Sequence, residues 1–374
     1  MPDCKHFSGY KPCFPGTRCY EKCVDYNPIG TRILLINLDA MGNILVTTSI
    51  LEAIKRKYPT STITWITEKN TAPLLQHNPL VDRIMVWNPE SWLILGQMAF
   101  DVVMNVDKSQ RSGAFAMSVK AKKKLGFGIN GRGQIVPLNK EARENYILGL
   151  DDHLKFRVNQ KTVPQLLCEE LGLDYRREEY ILKLSEEEQE FCKMYRSRHG
   201  LDGGELVVGF NTGCSELYPN KKMTIDQHVA LISRMYALPG VRLVLVGGPE
   251  DTVRNAEIVR QVGDMVHSTP TTEGARRGVC YENICDVIIS GDSFGMHVAI
   301  GLKKYVIVWF GVSCWTEIDL FDRGLKLVPE GLECSPCWLR VCPYNLECIR
   351  MIDLDRIVRE VESLASRRPV HAEH

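Results

Sequence analysis

Apolar residues in this chain come in short, nearly unbroken runs that alternate with longer stretches of helical spacing. The first run, RILLINL at 32–38, has no polar face, as expected of a central parallel strand covered on both sides. A polar loop, DAMGN at 39–43, follows it. Apolar positions then recur at helical spacing from 44 to 58, Pro59 stops them, and a second strand is expected at 62–67. Further strands are expected at 82–87 and 101–107, the latter ending on Asp107. Residues 131–145 are polar and irregular, and read as a loop lining a cleft. Helices are expected at 152–171 and 185–199, with Asp202, Gly203 and Gly204 as a hinge. The pattern then restarts with a strand at 206–211, a helix at 224–236, a strand at 241–247 and a helix at 250–262. A last strand, glycine loop, short helix and strand begin at Asp286.

Strands alternating with helices at this pitch predict an α/β protein with doubly wound sheets. At 374 residues the chain is too long for one core. The expected architecture is two Rossmann-like domains facing each other across a cleft: an N-terminal cysteine-rich segment at 1–30, a first domain at 31–200 and a second at 201–374. The last residues, 366–374, read as a frayed tail.

Charge is balanced at 46 basic and 46 acidic residues, so no global field recruits nucleic acid or an anionic membrane. Local clusters remain at Lys120–Lys124 and at Arg276 and Arg277. No run of about 18 apolar residues occurs, and the first residues are polar, so the expected location is the cytoplasm. In that compartment 14 cysteines are better read as metal thiolates or free thiols than as disulfides. Eight of them form two clusters: Cys4, Cys13, Cys19 and Cys23, and Cys334, Cys337, Cys342 and Cys348. Four thiolates in a loop with little apolar surface suit a tetrahedral structural metal, zinc or iron, and the CxxC opening of the second cluster is the more specific signal. Cys168, Cys192, Cys214, Cys280, Cys285 and Cys314 lie among apolar neighbours and read as core.

Polar loops at strand ends carry the candidate chemistry. Where a parallel strand gives way to a helix, free N–H groups and the positive helix end favour a phosphate or diphosphate. Asp292, Ser293, Gly295 and His297 occupy one such junction. Thr212 and Gly213 occupy another, with Lys221 and Lys222 arriving before the next helix to neutralise an anion. Glu250, after a third strand, is placed to hold ribose hydroxyls. In the first half, Asp39 and Asp107 end strands, where a carboxylate can take a proton from an attacking hydroxyl; Asp107, in the polar exit DKSQR, is preferred. Each feature has a plainer alternative, a helix N-cap for Asp107 and a solvated lysine pair for Lys221 and Lys222.

Together, RILLINLDAMGNILVTTSIL at 32–51, PNKKMT at 219–224, GDSFGMHVA at 291–299 and FGVS at 310–313 with Glu317 resemble glycosyltransferase family 9, the ADP-heptose heptosyltransferases. The opening CKHFSGYKPC at 4–13 is similar to that of its cysteine-rich members. The resemblance implies a GT-B fold with the donor held mainly by the second domain. It implies an inverting transfer without a catalytic metal, from ADP-heptose to a hydroxyl of a glycan of the lipopolysaccharide core type, or of a protein. It puts the family lysine on Lys221, its Asp-Thr-Gly-x-x-His loop on Asp292, Ser293, Gly295 and His297, and its ribose acid on Glu250. The family's usual Asp after the glycine is Asn43 here, and an amide is no base, so Asp107 with Asp39 behind it is the expected base. Expected partners are therefore a sugar nucleotide and a glycan or protein acceptor, and no nucleic acid. Peripheral contact with the inner membrane face and a homo-oligomer are compatible with that reading. The rivals are a nicotinamide dehydrogenase, which lacks GxGxxG after the first strand, and a non-catalytic metal-thiolate interaction module.

Overall fold

The continuous apolar runs become the central strands of two six-stranded sheets in a computed structural model that describes residues 3–16, 18–20 and 23–367. The first sheet contains β1 (Thr31–Ile36), β2 (Ser61–Thr67), β3 (Arg83–Val86), β4 (Ala99–Asn105), β5 (Lys120–Ile129) and β6 (Ile135–Pro137), in the order β3-β2-β1-β4-β5-β6. The second contains β7 (Leu206–Asn211), β8 (Val241–Val246), β9 (His267–Ser268), β10 (Val287–Gly291), β11 (Tyr305–Trp309) and β12 (Gly324–Leu327), in the order β12-β11-β10-β7-β8-β9. Every pairing is parallel except β5 with β6. Both sheets run outward from a middle strand and then reverse, so each has a switch point, between β1 and β4 in one and between β7 and β10 in the other. Crevices beyond the carboxyl ends of such strands are where α/β sheets meet ligands.

Ile33, Leu34, Leu35 and Ile36 are all fully buried, which is why β1 has no polar face. Val207, Val208 and Phe210 do the same for β7. The helices Glu186–Arg198 and Ile225–Tyr236 start on capping boxes, Ser185 with Glu188 and Thr224 with Gln227, which satisfy first-turn N–H groups.

The chain divides into one unit of Met1–Asp152 with Val163–Glu178 and a second of His153–Thr162 with Glu179–His374. The division falls before the helix Glu186–Arg198, not at the glycine-rich 202–204 hinge. That helix is held by second-unit groups: Arg276 Nε donates to Glu188 Oε1 at 2.7 Å, and Arg196 Nη1 donates to the Ile284 carbonyl at 2.9 Å.

Three local expectations change. Residues 131–145 are not a bare loop, since they supply β6 and the start of the helix Ala142–Leu148. The expected helix at 152–171 is a π-helical turn, Leu154–Val158, and a separate helix, Val163–Glu170; between them Asn159 Oδ1 accepts the Lys161 N–H at 3.0 Å, a local bond that competes with helix continuation. The first helix is interrupted after Thr47, where the Thr48 and Ser49 hydroxyls bond back to the Leu45 and Val46 carbonyls at 2.5 and 2.7 Å.

The N-terminal cysteine-rich segment is tied to the first sheet by Lys5, whose Nζ donates to the Ser61 carbonyl at 2.9 Å and to Asp82 Oδ1 at 2.7 Å. Among the described residues no helix is long and apolar enough to cross a membrane. Of the tail expected at 366–374, residues 368–374 lie outside the described residues.

Candidate active site

At the switch point of the second sheet, the ends of β7 and β10 are joined by a buried amide. Asn211 Nδ2 donates to Ser290 Oγ at 2.8 Å and to Ser293 Oγ at 2.7 Å. A Cβ on Gly295 would sit 2.5 Å from Asn211 Cγ, so this junction closes only with glycine there. Because Ser293 is engaged with Asn211, the helix Phe294–Gly301 begins with no side-chain cap. Its first N–H groups therefore have no side-chain acceptor of the capping kind, the condition under which a helix start accepts an anion.

Lys221 reaches this junction from the turn Pro219–Lys221. Its Nζ donates to Asp292 Oδ2 at 2.7 Å, and both side chains are about one-tenth exposed, at 12% and 11%. The Trp309 indole N–H on β11 donates to the Lys221 carbonyl at 2.9 Å, which fixes the backbone from which the side chain extends. Burial alone would raise the Asp292 carboxyl, but the charge of Lys221 and the bond it donates hold it below the usual carboxylate value. Asp292 is thus ionised. His297, one turn into the helix, is buried and neutral, its pKa lowered to about 4 by desolvation, and its Nδ1 has no hydrogen-bond partner among the described residues.

The loops after β7 and β8 are assembled differently from the sequence expectation. Thr212 is fully buried and its hydroxyl donates to Asn255 Oδ1 at 2.5 Å. Gly213 faces Asp251: a Cβ there would lie 1.7 Å from Asp251 Oδ1. Asp251 Oδ2 accepts the Gly248 N–H at 3.0 Å, and burial raises its pKa. Glu250 is exposed beside it. Asp251, which sequence reasoning passed over, is therefore the acid built into this loop, and its only advance signal was its place one residue further into the helix start. Lys222 Nζ pairs with Glu216 Oε1 at 3.3 Å.

At the switch point of the first sheet, Asp39 follows β1 and Asp107 follows β4. The parallel register that pairs Ile36 with Asn105 brings the two loops side by side. The Asp107 carboxylate accepts the Leu38 N–H and, at 2.6 Å, Asn37 Nδ2. Desolvation outweighs these bonds and raises its pKa to about 7, with the charge of Asp39 adding to the shift. Asp39 is exposed and its Oδ2 accepts Arg111 Nη2 at 2.6 Å. Asn43 Nδ2 is 3.4 Å from the Asp39 carbonyl, a backbone contact. Asn37, buried and unremarked in the sequence, orients the candidate base.

Among the described residues no group of three or more His, Cys, Asp or Glu side chains is drawn together as a metal centre. Cys334, Cys337, Cys342 and Cys348 nonetheless line one small cavity, and Cys342 Sγ accepts the N–H groups of Tyr344 and Leu346 at 3.3 Å each. Four sulfur donors around one cavity are the ligand type that zinc and iron take. In the N-terminal cluster Cys4 is buried and bridges to Pro28, Cys13 is exposed, and Cys19 and Cys23 are half-buried.

Two doubly wound parallel sheets, each with polar loops at its switch point and one with a largely buried lysine at an uncapped helix start, define a two-sheet α/β protein of the doubly wound class. Residues 92–347 match the family described as glycosyltransferase family 9 (heptosyltransferase). The chain belongs to glycosyltransferase family 9 and is a glycosyltransferase. It is 22% identical over 294 residues to the lipopolysaccharide core heptosyltransferase OpsX of Haemophilus influenzae, covering 73% of this chain and 79% of that protein. Among solved structures, a family 9 glycosyltransferase from Veillonella parvula superposes with TM-score 0.70 at 18% identity, over 90% of this chain and 97% of that one. The ADP-heptose lipopolysaccharide heptosyltransferase II of E. coli gives 0.66 at 17% identity, over 90% and 99%. The iron-containing dodecameric glycosyltransferase TibC of enterotoxigenic E. coli gives 0.54 at 13% identity, over 91% and 77%. These likenesses agree on the fold.

Proposed function

We propose that this enzyme transfers a heptosyl group from ADP-heptose, with inversion, to a hydroxyl of a lipopolysaccharide-core type glycan or of a protein. The acceptor oxygen bonds to the anomeric carbon, the bond from that carbon to the diphosphate oxygen breaks, and ADP leaves. Lys221 and the free N–H groups at the start of the helix Phe294–Gly301 take up the charge growing on the leaving diphosphate. Asp107 takes the acceptor's proton; a carboxyl raised to about 7 is a better-matched base near neutrality than an ordinary one. Gly213, Thr212, Lys222, Ser293, Gly295 and His297 shape the donor loop, with Glu250 left exposed to meet ribose hydroxyls.

The observation that carries this reading is the largely buried Lys221–Asp292 ion pair at a sheet switch point. It is supported by the match to heptosyltransferases, among them the ADP-heptose lipopolysaccharide heptosyltransferase II of E. coli. Purified protein incubated with a panel of sugar nucleotides tests it. ADP release with ADP-heptose and an acceptor glycan, with the sugar's anomeric configuration inverted by NMR, is expected; a panel that releases no nucleoside diphosphate sinks the reading.

Cys334, Cys337, Cys342 and Cys348 would hold a structural zinc or iron, in line with the iron content stated for TibC. Such an ion would order the loop they sit on. The cytoplasm is the setting where sugar nucleotides are available, and assembly into a homo-oligomer, as described for dodecameric TibC, is checked by light scattering.

A further inference from the structure

The cysteine loop reaches the lysine. Lys221 Nζ lies 4.7 Å from the Trp338 ring centroid and 5.5 Å from that of Tyr218, and the two rings meet edge to face at 5.2 Å. Lys155 places a second ammonium 5.3 Å from the same indole, with Glu317 Oε1 at 3.7 Å. Trp338 directly follows Cys337 and has a left-handed backbone, φ 52°, which a bulky residue keeps only where its surroundings hold it. Those surroundings are present. The Trp338 and Cys337 N–H groups both donate to the Val312 carbonyl, at 2.8 and 3.1 Å, and Ser335 Oγ donates to the Gly311 carbonyl at 2.5 Å. Asn220, the neighbour of Lys221, donates its Nδ2 to the Leu339 carbonyl at 2.6 Å.

We propose that Trp338 is a positioning residue for Lys221, so that the folded cysteine loop sets where the ammonium sits for the donor diphosphate. The proposal rests on the assignment of Lys221 to that diphosphate. Its physical reason is a matter of counting donors. An ammonium has three N–H groups, and the Asp292 carboxylate occupies one of them. An aromatic face restrains the cation by its quadrupole without consuming another, and indole does this best among the aromatic side chains. The remaining donors stay available for phosphate oxygens. A carboxylate in the indole's place would compete with the ligand.

Calorimetric titration of the full chain with ADP and with adenosine tests this in the wild type, Trp338→Leu, Trp338→Phe, Lys221→Ala and the Lys221→Ala/Trp338→Leu double variant. Trp338→Leu is expected to weaken ADP on the order of tenfold and Trp338→Phe about twofold to threefold, the range of a desolvated cation–π contact, while adenosine binding stays unchanged. In the Lys221→Ala background the leucine substitution adds little. Equal losses for ADP and adenosine, or an undiminished loss without Lys221, overturn the proposal, since either makes Trp338 a general support of the fold or a direct nucleotide contact. The phenylalanine variant carries the same ordering if the leucine variant does not fold. Wild-type ADP affinity in Lys221→Ala removes the diphosphate assignment itself, and the proposal with it.

Discussion

Lys221 and Asp292 are 71 residues apart in sequence, yet Nζ and Oδ2 are 2.7 Å apart in a largely buried setting. Removing either partner leaves a charge without its counter-ion, which typically costs more than the intact pair contributes. Lys221→Ala is therefore expected to lower both the melting temperature and turnover, the latter by on the order of 100-fold, because charge stabilisation on a leaving group is worth a few kcal/mol. Asp292→Asn, which keeps the size of the side chain, lowers stability while retaining more turnover. ADP-release kinetics and thermal melts of the two variants separate the effects; unchanged turnover in Lys221→Ala contradicts the role given to it.

Asp107 acts as a base only when ionised, and burial has moved its ionisation to about pH 7. The sign follows directly: kcat/KM rises with pH through about 7 as the carboxyl loses its proton, and falls below it. Asp107→Asn is expected to lose roughly 100-fold to 10,000-fold in kcat and to flatten that limb while ADP binding persists. A pH–rate profile and a calorimetric titration check both points. Loss of ADP affinity in this variant makes Asp107 structural.

Gly213 has no room for a side chain because Asp251 fills the place, 1.7 Å from where a Cβ would be. Gly213→Ala should destabilise by about 1–3 kcal/mol, the usual cost of overpacking. Asp251→Ala in the same chain removes the obstructing carboxylate and recovers part of that loss. Chemical denaturation of the two single variants and the double variant measures the coupling. Additive losses would mean that the crowding is not between these two residues.

For Cys334, Cys337, Cys342 and Cys348, elemental analysis of purified protein is expected to find one zinc or iron per chain. Substituting Cys337 and Cys342 with serine removes it and lowers the melting temperature, because an ordered thiolate site lends its binding energy to the fold. Full occupancy in that double substitution assigns the metal elsewhere.

Much of the fold was legible because buried parallel strands must be apolar throughout. RILLINL and LVVGFN could hardly be anything else, and the residues after them stood out as loops because they turn polar at once. The helices expected at 185–199 and 224–236 formed as Glu186–Arg198 and Ile225–Tyr236. Boundaries set by side-chain bonds to nearby backbone, at Thr48, Ser49 and Asn159, were not legible, since the same residue types also occur inside helices.

The sequence by itself determined the strand–helix alternation, the doubling of the unit and the residue types at the strand ends, because these depend on local pattern. Tertiary structure alone decided which strand ends are neighbours. Strand order puts β4 beside β1 and β10 beside β7, and so joins Asp107 to Asn37 and Asp292 to Lys221. It also decided the protonation behaviour, for a carboxylate's pKa follows its burial and its partners, and neither is written in the residue's own position along the chain.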